Sequence, residues 1–134
     1  MTAGKTDRPA AGHILRYVYL FQEEQRQGRD EGVKERFVVV VGVEGSRYLV
    51  AAITTKGEGR KNAIEIPDEV ARTAGLAPGS AIVISEFNRF TWPGFDIRPL
   101  MKQPGYIAGR LPPRFTAKII DAIAAWKAVP VDRD

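Results

Sequence analysis

Glu31-Gly-Val-Lys-Glu-Arg-Phe-Val-Val-Val-Val-Gly-Val43, then Glu44-Gly45-Ser46, then Arg47-Tyr-Leu-Val-Ala-Ala-Ile-Thr-Thr55 is the stretch whose reading decides the fold. Val38 to Val41 are β-branched, stiff at χ1 and suited to a pleated surface. Their run has no helical spacing, which predicts a central strand buried on both faces. Gly45 supplies the residue a tight hairpin needs, and Arg47 to Ile53 reads as the partner strand. In such a hairpin the far ends lie side by side. Glu31, Lys34, Glu35 and Arg36 then meet Thr54 and Thr55, bringing an acid, a guanidinium and hydroxyls together on a rigid scaffold.

Upstream, residues 1–11 read as a disordered lead-in. His13 to Phe21 is apolar and aromatic and predicts a first strand. Gln22 to Val33 is polar, with a short helix in its first half and an exposed loop after it. Downstream, Lys56 to Asn62 forms a Gly-rich basic loop whose Lys56, Arg60 and Lys61 suit phosphate contact. It lacks the strand–GxxxxGK[ST]–helix arrangement of a nucleotide loop.

Ala63 to Ile66 predicts a short strand, and Pro67 opens a helix with Asp68 and Glu69 in its first turn, which Gly75 stops. Ala81 to Phe87 reads as one strand, ending in the polar cluster Glu86, Asn88 and Arg89. Asp96 to Leu100 and Tyr106 to Gly109 suit short edge strands beside Pro99 and Pro104. Pro112 and Pro113 open a last helix, with Phe115, Ile119, Ile120, Ile123 and Trp126 at helical spacing. That stripe, Trp126 included, is expected in the core. Residues 130–134 read as a flexible tail. About six strands and two helices, in one domain over residues 12–129, predict a mainly β, α+β antiparallel barrel.

The 134 residues suit a single domain, and the net charge of +4 tilts toward polyanions such as nucleic acid. No apolar run is long enough to span a membrane and no signal sequence is visible, so a cytoplasmic protein is expected. With no cysteine and one histidine, neither thiolate chemistry nor a structural zinc site is supported. The lone His13 cannot act as both members of a base–acid pair. The serines have no histidine in a plausible motif, and the acids show no metal-ligand spacing. No metal or cofactor is expected. The chemistry that remains belongs to Arg36, whose planar fork matches phosphate oxygens.

The order and spacing of these segments resemble the PemK/MazF toxins, SH3-like barrels of toxin–antitoxin modules. An early strand (His13 to Phe21), Glu31-x-x-x-x-Arg36 leading into a valine strand, and Ile53-Thr54-Thr55 closing the next carry the likeness. Ser85 to Arg89, Trp92-Pro93-Gly94, Arg98-Pro99, Leu111-Pro112-Pro113 and the final helix add to it, from about Gly12 to Trp126. The resemblance implies a metal-independent endoribonuclease acting on single-stranded RNA through a 2′,3′-cyclic phosphate. It also implies a homodimer and an acidic antitoxin that occupies the RNA groove. Arg36 matches the family's catalytic arginine, Thr54 its active-site threonine, Glu31 the acid of the first long loop, and Glu86 the aspartate of some members.

Lys34, Thr55, Lys56, Arg60, Lys61, Asn88 and Arg89 are then expected to hold substrate, with bases stacking on an exposed Phe90. Three departures weaken the match: Phe37 and Ala52 replace prolines of the family pattern, and Ile84 replaces an arginine. They favour a second reading, a catalytically weakened module that binds nucleic acid or protein. Ile64 to Ile84 separately resembles the AbrB-type swapped-hairpin fold, which implies a dimeric DNA-binding regulator.

Overall fold

A computed structural model describes residues 8–28, 35–55, 61–94 and 96–134. The four valines form the centre of β2 (Glu35–Glu44), which turns through Gly45 and Ser46 into β3 (Arg47–Thr54). Gly45 has φ of 66°, the left-handed conformation that favours glycine in a tight hairpin. Val38 lies opposite Ala52 and Val40 opposite Val50; a register shift follows, and Val43 then faces Tyr48. All four valines are buried, Val38 and Val40 on one face and Val39 and Val41 on the other. The expected two-sided burial is what the strand shows.

The other edge of β2 pairs antiparallel with β1 (His13–Val18), Leu15 opposite Val38 and Tyr17 opposite Arg36. Both flanking strands then fork. The outer edge of β1 takes β8 (Ile107–Arg110) near its start and β7 (Ile97–Arg98) near its end. The outer edge of β3 takes β6 (Glu86–Thr91) along Arg47 to Val50 and β5 (Ala81–Val83) at Ile53 and Thr54. β4 (Ala63–Glu65) adds to β5. Phe90 on β6 stacks on Tyr17 of β1 at 5.1 Å between centroids. Three strand spacings separate β1 from β6, about 14 Å in a flat sheet, so the sheet must curl to let them touch.

Inside the curl lie Leu15, Tyr17, Tyr19, Val38, Tyr48 and Phe90, all 0–1% exposed. On the outer face, α2 (Asp68–Thr73) and α3 (Pro113–Trp126) cover Ile14, Val39, Ala51 and Ile82. The class is therefore mainly β and α+β, with nine strands and three helices among the described residues, the third helix being α1 (Gln22–Arg26). The strand ladder β4-β5-β3-β2-β1-β7 retains two edges, so the pairings form an open, curled sheet.

Several expectations are corrected. The strand expected over Ala81 to Phe87 breaks at Ile84 and Ser85, because its halves pair with different parts of β3. Residues 130–134 are no tail: β9 (Val129–Asp132) runs parallel to β6 and buries Val131. Pro130 is tolerated there because β9 is an edge strand. The lead-in packs from Arg8 onward, with the Pro9 carbonyl accepting the Tyr48 hydroxyl at 2.8 Å. Phe90 is 1% exposed, since residues 86, 88 and 90 face into the curl. Trp126 is 46% exposed: Ile119 and Ile123 of its stripe are buried, whereas Ile120 and Trp126 are exposed. Ile64 to Ile84 forms β4, α2 and β5 inside this sheet, with β5 pairing to β3 of the same chain.

Candidate functional site

The β2–β3 pairing is seen as far as Val38–Ala52, and continuing its register by two residues would set Arg36 opposite Thr54. Side chains alternate along a strand, so both point to the face that carries Val38 and Ala52. A cavity of about 400 Å³ at this end of the sheet is lined by Arg36, Thr54, Thr55 and Ser80 together with Arg16, Glu35, Phe37 and Ile53, of which the last four alternate to the opposite face. Arg16 is ion-paired with Glu35. The Arg36 guanidinium lies over the Phe21 ring, its central carbon 4.9 Å from the centroid.

Glu86 stands on the same face of the sheet. Continuing the Val50–Asn88 pairing puts it opposite Ala52. Its carboxylate accepts the backbone N–H of Gln22 at 2.9 Å and the Tyr19 hydroxyl at 3.3 Å. Burial pushes its pKa above the ordinary carboxylate value, against the pull of those two hydrogen bonds. The Tyr19 hydroxyl is held well above its usual range by burial and then by Glu86, while Arg36 acts in the opposite sense. Tyr19 thus links the acid electrostatically to the guanidinium.

The structure brings Arg36, Thr54 and Thr55 to one cavity, with Glu86 on the same face but outside the lining. The other expected positions part from them. Asn88 is fully buried, accepting the Leu20 N–H at 2.9 Å and donating to the Leu20 carbonyl at 2.7 Å, so its amide is consumed by the fold. Arg89 forms a two-pronged pair with Asp132, at 2.6 and 2.9 Å, on the opposite face of β6. Lys61 is exposed in the turn before β4 and is not in the lining. Glu31, Lys34, Lys56 and Arg60 lie outside the described residues.

Sequence reasoning missed Tyr19, Phe21 and the Arg16–Glu35 pair. The signal for the aromatics was present: Tyr17, Tyr19 and Phe21 recur with period two and so share a face. Among the described residues no group of three histidines, aspartates or glutamates is placed to hold a metal ion, and no helix is long and apolar enough to cross a membrane. No protein-family model matches this sequence, and no curated protein does.

Proposed function

We propose that this chain is a PemK/MazF-like toxin, a metal-independent endoribonuclease that cleaves single-stranded RNA. The observation that carries the reading is that Arg36 and Thr54, at the ends of β2 and β3, line one cavity. The curled sheet suits an SH3-like barrel. In the reaction the 2′-hydroxyl loses a proton and its oxygen attacks the adjacent phosphorus. The bond to the 5′-oxygen breaks, that oxygen takes up a proton, and a 2′,3′-cyclic phosphate remains.

The extra negative charge on the pentacoordinate phosphorus is what Arg36 would stabilise, worth roughly 3–4 kcal/mol for a well-placed donor. Thr54 would hydrogen-bond a phosphate oxygen. Proton removal falls to a carboxylate, Glu86 with its raised pKa or Glu31. A homodimer in the cytoplasm, restrained by an acidic antitoxin drawn to a basic groove, completes the proposal.

A second reading, a module that binds RNA or protein without cutting, is favoured by one observation. Phe21 occupies one face of Arg36, and Glu86 already holds Gln22 and Tyr19, so both groups have intramolecular partners. Incubation of the protein with a long single-stranded RNA in EDTA, beside Arg36→Ala, separates the two. Cleavage by the unsubstituted protein alone, leaving 5′-hydroxyl ends, supports the nuclease. A folded, antitoxin-free protein that retards RNA without cutting it supports the binding module.

A further inference from the structure

A second cavity, of about 960 Å³, is more than twice the volume of the one at Arg36 and shares no lining residue with it. Its walls are the Ala10–Ala11 segment, the start of β1, α2, the end of β8 and the first turns of α3. Val70, Leu111, Pro113, Ala117 and Ile120 make it predominantly apolar. The walls are fixed to one another. Gly109 of β8 lies so close to the end of α2 that a Cβ there would meet the Ala74 carbonyl oxygen at 2.8 Å, and the Gly12 carbonyl accepts the Leu111 N–H at 2.8 Å. A preformed concave site of this size, apolar with few polar groups, is the usual form of a small-molecule pocket.

Two polar residues at its edge define the ligand. His13 and Arg110 face each other across the β1–β8 pair. Among the described residues the Arg110 guanidinium forms no hydrogen bond or ion pair. His13 Nδ1 accepts the Ala10 N–H at 2.8 Å, so in the neutral ring the proton sits on Nε2 and makes it a donor. A cation and a donor beside an apolar cavity complement an anion on an apolar body. Glu69, which lines the α2 wall, opposes a second negative charge.

We propose that this cavity binds a monoanionic amphiphile, a straight-chain carboxylate with its headgroup on Arg110 and its chain along α3. The site is independent of the ribonuclease reading. The test titrates the full chain with decanoate, below its micellar concentration, and with decan-1-ol, following amide shifts by NMR. Expected is saturable one-to-one decanoate binding, with shifts confined to the lining. Arg110→Gln should weaken decanoate by about tenfold, the loss of one charge-assisted contact, and leave decanol unchanged. Ala117→Phe, at an exposed helix position, should abolish both while the protein keeps its folded spectrum. Absence of saturation, shifts centred elsewhere, or decanoate affinity unaltered by Arg110→Gln would each overturn the proposal.

Discussion

The Arg36 guanidinium is stacked on Phe21, a residue that follows β1, although Arg36 belongs to β2. The contact restrains where the guanidinium sits. Placement of that kind matters for the phosphate contact proposed above.

Phe21→Leu keeps an apolar side chain and removes the π face. Stability should fall by about 1 kcal/mol, measured by urea unfolding. If Arg36 acts in RNA cleavage, single-turnover rates should drop roughly tenfold to a hundredfold through its misplacement. A rate that rose would identify Phe21 as a cover over Arg36.

Asn88→Ala should destabilise the protein by about 2–4 kcal/mol, because it strands both backbone groups of Leu20 away from water. Urea unfolding reads this directly. A loss below 0.5 kcal/mol, on the order of a surface change, would show that water replaces the amide.

Arg133 pairs with Asp96 at 2.9 Å, their side chains 6% and 18% exposed. Burial and Asp96 raise the nearby Tyr17 hydroxyl above its usual range, while Arg133 lowers it. Asp96→Asn should cost about 3 kcal/mol, since it removes one charge of a buried ion pair. Combining it with Arg133→Met should recover part of that loss in a double-mutant cycle.

Glu86 makes stability depend on pH. Its folded pKa is raised, so between the ordinary carboxylate value and the folded value the native state holds more protons than the unfolded chain. The contribution is fully present below the unfolded pKa and is lost as pH rises through the folded one. Glu86→Gln keeps an acceptor for Gln22 and Tyr19 without the charge. Relative to this variant, the unsubstituted protein should lose stability from the carboxylate range toward neutrality, as thermal melts across pH 4–8 (roughly the window of carboxylate and histidine titration) would show.

The part of the fold legible in the sequence was the part held by local rules. Val38 to Val41, the Gly45 turn and the strand after it determine a register, and Arg36 and Thr54 lie at the ends of the two strands it joins. What escaped depends on distant chain segments meeting. Phe90 is hidden because the curl brings it to Tyr17. Ile84 and Ser85 offer no glycine or proline to mark the switch from β5 to β6. β9 holds four residues including a proline, too few for a periodicity signal. Asn88 looked like a ligand-facing amide because nothing local announces that Leu20 will lie beneath it.

The fork in β3 has a consequence in time as well as space. Val50 is paired on one side with Val40 and on the other with Asn88, whereas α1 holds a single turn with no buried residue. Amide protons at the middle of β3 should therefore exchange with solvent only when the whole molecule opens, and those of α1 in far more frequent local events. Helix α1, which follows Phe21 and anchors on Glu86 through the Gln22 N–H, can unwind and re-form many times within one lifetime of the sheet. Access to Arg36 is thereby separated from the stability of the strands that carry it.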